Sequence, residues 1–485
     1  MSFKMMKKYF TMLIIFALPI ILANQYYVDD IGRSSAGYTM WGIDGRPAAD
    51  LIMTIFNLSY RLSDLSPLPL IVSCAILSMI FYGYKKTFLD ESKEAFLIPL
   101  AFIINPAMLS ILSYRFDVLT FTCSILFAFS PYLTKLKYKP LEYFAGVIFV
   151  ILAASTYQIS INIFAILSVV ELAYGINKLE SPSSILKRLT IRIAQAVTGM
   201  LAYMFVILPI SFSGVHASNH PTISNNIISS VINNAHSYYL FASSNFYRTN
   251  CGEIIAAILL TSILCSVVLL ARYHKKYEGA HFYMISIFCL ASVALSLPMV
   301  VGSLLILSNS IEGALHVYMS FGVYLMLVST LLFYCMKAIR FTLFALALPI
   351  FYSYTTMYSY GNALRTQDVV NRQLAMEIKQ SLNNYNNEPR YIVFNGSAKT
   401  SLVYANSSVN YPAINHAVIN YYYNWYWAIA NLSMNGVNLM YPDTKVAEEA
   451  VNSFCSYSDI RRNQDFNMYV NKEVVVVDFD KIKCK

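Results

Sequence analysis

The sequence predicts a mostly α-helical, polytopic membrane protein with a small α/β domain at its C-terminal end. The first observation is composition: 57% of the 485 residues are hydrophobic and only 13% are charged, whereas soluble globular chains carry about 25% charged residues. The second is a series of apolar segments, many of them near the roughly 20 residues that cross a membrane as a helix. The third is a shift to more polar composition after Tyr360.

Eleven apolar segments are candidates for membrane spans. Two neighbouring segments are so closely spaced that they form two spans, a re-entrant pair or one long buried hairpin, so we predict nine to eleven spans. The first segment resembles a signal peptide but ends without a good small-residue cleavage site, and we interpret it as a retained helix. The candidates are 7–24, 66–84, 95–113, 118–134, the close pair 141–155 and 157–176, 191–213, 252–271, 281–301, 314–336 and 341–360.

The orientation in the membrane is predicted from the lysines and arginines, which cluster in alternate loops. Loops on the cytoplasmic side of a membrane protein carry an excess of these residues. The clusters therefore predict a cytoplasmic N-terminus and, with an odd number of spans, a tail outside. The net charge of +9 follows this pattern, and no basic stripe with interleaved aromatics supports nucleic-acid binding. The clusters lie at 4–8, 85–93, 135–139, 178–192, 272–276 and 337–340.

The first outer loop, 24–66, contains a candidate interfacial helix. Its apolar residues recur at helical spacing, which is typical of a helix lying on the membrane surface rather than crossing it. These residues are Leu51, Ile52, Ile55, Phe56 and Leu58.

The tail after Tyr360 has the size and pattern of a small domain. An amphipathic helix is predicted over 363–385, and strands are predicted at 390–394 and 473–478. We therefore predict a membrane domain over 1–360 and a C-terminal domain over 361–485. Cys455 and Cys484 lie in the polar tail and could pair if it faces an oxidising compartment, a question that the sequence leaves open.

Asp29 and Asp30 are the candidate catalytic residues. An acidic pair after a helix is often only a solvated loop, but here the flanking residues are aromatic and apolar, and Gly32 and Arg33 follow. A carboxylate beside a cation can act as a general base while the cation neutralises a leaving phosphate. Adjacent side chains point different ways, so at most one is the base, and Asp30 is favoured by its proximity to Arg33.

Arginines on the predicted outer side are candidate anion ligands, because a guanidinium binds phosphate or carboxylate bidentately. Arg33 and Arg115 are assigned to a donor phosphate. Arg46 is a weaker candidate, with ordinary pairing to a nearby aspartate as the alternative. Arg115 stands in the short motif Tyr-Arg-Phe-Asp, which ends at Asp117.

Other polar features predict less. The histidines at 216, 220, 236 and 316 lack the spacing of a zinc site, and no glycine-rich phosphate loop occurs. We predict no cofactor and leave a divalent metal open. The aromatic run over 420–427 is either a platform for sugar stacking or an interfacial belt resting on lipid headgroups.

These motifs, in this order and topology, resemble the GtrII-type glucosyltransferases of serotype-converting phages and enterobacterial O-antigen modification clusters. The resemblance is carried by the stretch Tyr26–Arg33, by Gly45-Arg46, by Tyr114–Asp117 and by the chain length. It implies a GT-C-like fold in the bacterial inner membrane. It also implies an active site on the periplasmic face, with Asp29 or Asp30 as the catalytic residue.

The same resemblance implies the substrates. Glucose would pass from undecaprenyl phosphate-glucose to a sugar of a lipid-linked O-antigen, with inversion, and Tyr27, Trp41, Arg46 and Asp117 are candidate substrate contacts. A transporter or flippase for a lipid-linked sugar is the alternative. Few ionisable residues stand midway along the spans, whereas a transporter should place several there.

Overall fold

The computed structural model describes residues 2–214, 221–248, 250–336, 340–383, 389–482 and 484. The chain is mostly helical. The α-helices, in chain order, are α1 Ser2–Ala23, α2 Asp30–Ala36, α3 Pro47–Asn57, α4 Leu68–Phe88, α5 Leu97–Leu100, α6 Ala107–Ser113, α7 Asp117–Leu133, α8 Lys139–Thr156, α9 Ser160–Asn177, α10 Pro182–Ala202, α11 Leu208–Ser211, α12 Ile227–Asn245, α13 Cys251–His274, α14 Ala280–Leu295, α15 Phe321–Cys335, α16 Ala347–Leu382, α17 Leu402–Asn410, α18 Ile414–Ala417, α19 Tyr426–Met434 and α20 Thr444–Ser453.

Shorter helical pieces join these elements. A π-helical turn, Tyr203–Ile207, connects α10 to α11. The 3₁₀ turns are Gly42–Asp44, Glu94–Phe96, Ala101–Ile104, Pro298–Leu304, Leu315–Tyr318, Arg340–Leu346 and Phe454–Ser456.

Seven helices of the described residues are long and apolar enough to cross a membrane, or nine if each of two bent pairs counts as one span. The sequence predicted nine to eleven spans, which agrees with the structure only if both bent pairs are counted and the number is nine. The segment predicted at 118–134 is a helix of 17 residues, and the one at 341–360 begins as a 3₁₀ turn and merges into α16. The two bent pairs are Glu94–Ile104 with Ala107–Ser113, and Ala280–Leu295 with Pro298–Leu304.

The close pair of segments at 141–155 and 157–176 forms two separate helices, α8 and α9, both among the seven candidate spans. The chain turns between them at Tyr157, whose backbone is extended. The sequence left three arrangements open, and the structure has the first of them, two separate candidate spans.

The helices enclose one large apolar core. Helix α15 is almost wholly buried and packs against α9, α13 and the turn Ala101–Ile104. Helix α1 packs against α4 and α16, and α4, α7 and α8 follow side by side. Because these helices pack side by side, the loops that connect them form two groups, one at each end of the helices.

The predicted interfacial helix is α3. Its Ala49 and Met53 are buried, whereas Leu51 and Ile55 on the other side are 60% and 61% exposed. The exposed apolar side chains suit a helix that rests on a membrane surface.

The tail contains a four-stranded sheet. Its strands are β1 Tyr391–Asn395, β2 Asp459–Arg462, β3 Asn467–Val470 and β4 Val474–Asp478. The order is β1-β4-β3-β2, with β1 parallel to β4 and the other pairs antiparallel. Both predicted strands are confirmed, as β1 and β4.

The sheet is covered on both faces. On one face, Ile392 and Val475 belong to a core cluster with Leu374 and Ile378 of α16. On the other, Val393 and Val476 pack with residues of α20, which explains why β4 is buried along its whole length. Helix α16 runs without a break through the predicted boundary at residue 360, and the division into two domains there stays a prediction.

Cys455 and Cys484 form a disulfide bond. This answers the question that the sequence left open. The bond ties the end of the chain to the segment that follows α20.

Candidate active site

The loop between α1 and α2 is held in an unusual backbone conformation. Val28 has a φ of 48°, a left-handed conformation that is rare for a β-branched residue. Its N–H donates to the hydroxyl of Tyr421 (3.0 Å), and that hydroxyl donates to the carbonyl of Tyr26 (3.1 Å). A side chain from the C-terminal part of the protein therefore helps to maintain the loop that carries the acidic pair.

Asp30 is completely buried, and its carboxylate accepts hydrogen bonds from the backbone. The donors are the N–H groups of Tyr27 (3.1 Å), Arg115 (2.9 Å) and Phe116 (3.4 Å). Burial outweighs these donors and raises the pKa of Asp30 to about 8. The side chain thus links the α1–α2 loop to the turn that precedes α7.

Asp29 is the accessible member of the pair. Its side chain is 41% exposed, and one carboxylate oxygen lies 3.4 Å from Nη1 of Arg33. Protein surrounds the carboxylate on its other sides, and this burial raises its pKa, whereas Arg33 lowers it. The sequence argument favoured Asp30 for its closeness to Arg33, but the structure pairs Arg33 with Asp29 instead.

Arg33 lies in a buried cluster with Trp41 and Asp117. Its guanidinium carbon lies 4.1 Å from the centre of the Trp41 ring, and Nη1 lies 3.2 Å from an Asp117 oxygen. The Trp41 indole N–H donates to the other Asp117 oxygen (2.6 Å). Arg33 is only 6% exposed, so its guanidinium is enclosed between Trp41, Asp117 and Asp29.

Arg115 is occupied by protein groups. Nε donates to the carbonyl of Gln25 (2.9 Å), Nη2 donates to the side chain of Asn24 (2.8 Å), and Nη1 pairs with Asp64. Its guanidinium also covers the ring of Tyr26 at 4.0 Å. All three nitrogens therefore fasten the outer loop, so this geometry leaves little of the guanidinium for a donor phosphate.

Arg46 is the more accessible cation near Asp29. Within the described ranges it has no carboxylate partner; Nε donates to Gln158 (2.9 Å) and the guanidinium lies 5.0 Å from the Tyr157 ring centre. Its charge also lowers the pKa of Asp29. Gln158 and Tyr203 hold the turn before Arg46 through the carbonyls of Asp44 and Gly45.

His316 is also at this site. Its ring lies among those of Tyr114, Phe121 and Tyr157, with centroid distances of 5.8 to 6.1 Å. The ring is only partly buried. The Tyr157 ring therefore lies between the guanidinium of Arg46 and the ring of His316.

The structure thus brings together most of the residues named from the sequence, but with different accessibility. Asp29 and Arg46 are partly exposed, whereas Tyr27, Trp41 and Asp117 are buried. Tyr27 donates to Ser110 (3.3 Å).

Sequence reasoning did not identify four further residues at or around the site. Asp50 accepts from the N–H groups of Trp41 (3.0 Å) and Gly42 (2.7 Å) and so shapes the turn before α3. Gln158, Tyr203 and His316 are the others, and their single polar groups beside apolar segments carried no local signal.

Among the residues that the structure describes, no three His, Cys, Asp or Glu side chains are grouped as ligands for a metal ion. The histidines at 216 and 220 lie outside the described residues. We therefore derive no step through a metal.

The fold and the site together define a multi-pass membrane protein with an acidic and basic site at one end of its helices. Residues 18–328 match the family model of the glucosyl transferase GtrII, and because this match spans well over half of the chain, the protein belongs to that family. The site residues from Tyr27 to His316 fall within the match, whereas Tyr421 lies outside it.

One relative comes from Salmonella phage P22. It is described as an uncharacterized 55.3 kDa protein in the gtrB 5′ region and is 30% identical over 235 residues, which is 48% of each chain. The match thus spans about half the length of that relative. No solved structure matches the chain.

Proposed function

We propose that the protein transfers glucose from undecaprenyl phosphate-glucose to a hydroxyl of a lipid-linked O-antigen, with inversion, on the periplasmic face of the bacterial inner membrane. The family supports the glucosyl transfer. The observation that carries the mechanism is the placement of Asp29: a partly exposed carboxylate beside Arg33, with Arg46 nearby.

Asp29 is the general base in this proposal. Its carboxylate takes the proton of the acceptor hydroxyl as the hydroxyl oxygen attacks C1 of glucose from the side opposite the phosphate. The new glycosidic bond forms while the bond from C1 to the phosphate oxygen breaks, and the electron pair leaves with the phosphate. A carboxylate with a raised pKa is a stronger base for this step.

Arg46 is the ligand for the leaving phosphate. Its positive charge has no carboxylate partner among the described residues, so it is available to neutralise charge that develops on the leaving oxygen. Arg33 and Asp117 are positioning residues, because they are buried and act on Asp29 rather than on substrate. Asp30 holds the loop through backbone N–H groups and is also a positioning residue.

The test is glucosyl transfer by the full-length protein in proteoliposomes with the polyprenyl donor and a lipid-linked O-antigen acceptor. Asp29→Asn should lower kcat by on the order of 10²- to 10⁴-fold, the usual contribution of a general base. Asp443→Asn is the matched control: Asp443 caps α20 far along the chain, and asparagine caps helices equally well.

Asp30→Asn separates the two aspartates. An asparagine oxygen can still accept the N–H groups of Tyr27 and Arg115, so this variant should keep a larger fraction of activity than Asp29→Asn. If Asp29→Asn transfers glucose at the wild-type rate, Asp29 is not the base. If the wild-type protein transfers glucose to no O-antigen acceptor, the proposed reaction itself is wrong.

A further inference from the structure

The aromatic run of the tail lies against the acidic loop. We call residues Tyr421–Trp427 the aromatic shelf. Tyr421 is buried and its hydroxyl bridges the backbone of Tyr26 and Val28. Helix α19, which begins at Tyr426, packs against α2, the helix that Asp29 precedes.

Hydrogen bonds and ring stacking fix the other residues of the shelf relative to Tyr421. The Trp425 indole N–H donates to the carbonyl of Tyr421 (2.8 Å). The Tyr423 ring stacks on the Trp425 ring with a centroid distance of 4.8 Å and an angle of 13°. The backbone N–H groups of Tyr423 and Trp425 bond to the carbonyls two residues earlier, so the stacked pair has a fixed position relative to the loop.

The shelf also presents rings and polar groups to the outside. Tyr423 is 39% exposed and Tyr426 is 66% exposed, and Asn424 between them is exposed as well. The hydroxyl of Tyr426 is close enough to Tyr38 to influence its pKa. Tyr38 in turn packs against α2 at Gly32. Aromatic rings with hydroxyl and amide groups at their edges suit a ligand with both apolar faces and hydroxyls.

We propose that the aromatic shelf is the binding platform for the saccharide part of the acceptor, with sugar rings stacked on Tyr423 and Trp425 and hydroxyls bonded to Asn424 and Tyr426. This proposal rests on the proposed function and adds the place where the acceptor is recognised. A saccharide is favoured over lipid headgroups because the shelf contacts the acidic loop and α2, and the acceptor sugar must lie beside the proposed base that this loop carries.

The shelf lies outside the residues that match the family model, which end at 328. Asp29, the proposed base, and Arg46, the proposed phosphate ligand, lie within the matched residues. The family match thus includes the groups that we propose perform the transfer but not the surface that we propose selects the saccharide, and we assign acceptor choice to the tail.

Kinetics with the proteoliposome assay test the platform. Tyr423→Ala should raise the KM for the lipid-linked acceptor about 3- to 10-fold, as expected for the loss of one aromatic stacking partner, with a smaller change in kcat. Tyr423→Phe keeps the ring and should restore the KM. Tyr138→Ala removes a tyrosine that is more exposed than Tyr423, 68% accessible, at the other end of the helices and should match the wild type.

Binding can be measured without turnover, because two of the three tryptophans, Trp425 and Trp427, belong to the shelf. Lipid-free O-antigen oligosaccharides from Salmonella lipopolysaccharide should change the tryptophan fluorescence of the full-length Asp29→Asn protein. The same oligosaccharides should bind more weakly when Tyr423→Ala is added. This titration supports or overturns the platform whether or not the wild type transfers glucose.

Two results would overturn the proposal. One is an unchanged acceptor KM in Tyr423→Ala while the wild type transfers glucose normally. The other is a fluorescence response that is absent or is identical with and without Tyr423. Failure of transfer by the wild type would instead count against the proposed function.

Discussion

Asp29 and Asp30 are neighbours in the chain but have opposite environments. Asp30 is fully enclosed and bonded to three backbone N–H groups, whereas Asp29 is partly exposed beside Arg33. A base must reach a substrate proton, and a carboxylate that organises a loop need not. The division of roles therefore follows from accessibility and hydrogen bonding at each residue.

The pH dependence of transfer should report the pKa of Asp29. Burial raises this pKa and the charges of Arg33 and Arg46 lower it. Because only the deprotonated carboxylate is a base, kcat/KM should rise with pH through a pKa above the ordinary aspartate value of about 4. In Arg46→Gln the loss of positive charge should move this rise to higher pH.

Arg46→Lys is the control for that experiment, because it keeps the charge and should leave the position of the rise close to that of the wild type. Both variants should also lower the rate if Arg46 binds the phosphate. A rise that moves to lower pH in Arg46→Gln would contradict the placement of Arg46 near Asp29.

At the scale of elements, the short helix α2 depends on close packing at Gly32. A Cβ at this position would overlap the hydroxyl of Tyr38. The centre of the Tyr38 ring lies 5.8 Å from the guanidinium carbon of Arg33. The glycine thus allows α2 to approach Tyr38, and this approach places Arg33 next to Asp29.

Gly32→Ala should therefore lower kcat by roughly 10-fold or more, since a misplacement of catalytic groups by about 1 Å can cost on the order of 10²-fold in rate. The measurement is glucosyl transfer by the purified variant. Gly313→Ala is the control, because a Cβ at Gly313 meets open space. Equal activity in both variants would show that the packing of α2 on Tyr38 does not matter for transfer.

For the whole molecule, the helices separate two sets of loops. Helices α4, α7 and α8 run between the acidic site and the opposite end of the molecule. At that end Lys85 lies in the last turn of α4, and Lys135 to Lys139 lead from α7 into α8. With 17 to 21 residues each, the three helices separate the two ends by roughly 25–30 Å. This arrangement agrees with the lysine pattern from which orientation was predicted.

A reporter enzyme that is active only in the periplasm tests this orientation. Fused after Lys485 it should be active, because the tail is on the same side as the acidic loop that Tyr421 contacts. Inserted in the loop between α7 and α8 it should be inactive. Activity at the second position with none at the first would reverse the topology and place the site in the cytoplasm.

The sequence by itself determined the class of protein and where to look for its site. Long apolar segments predict helices because a membrane requires about 20 apolar residues per span, and the run of valines before Asp478 predicts the buried strand β4. The stretch Tyr26–Arg33 was identified because an acidic pair and an arginine stand there among aromatic and apolar residues, in a chain with only 13% charged residues. Each of these signals is local, so it can be read along the chain.

Only the tertiary structure decided which of these residues face a substrate and which hold the loop. Two of the three backbone partners of Asp30 come from a turn 85 and 86 residues later. Gln158 lies 112 residues beyond Arg46, and Tyr421 lies 395 residues beyond Tyr26. No local pattern encodes such contacts, because they depend on how helices distant in sequence pack together. Accessibility and ion pairing depend on that packing, and they distinguish Asp29 from Asp30 and Arg46 from Arg115.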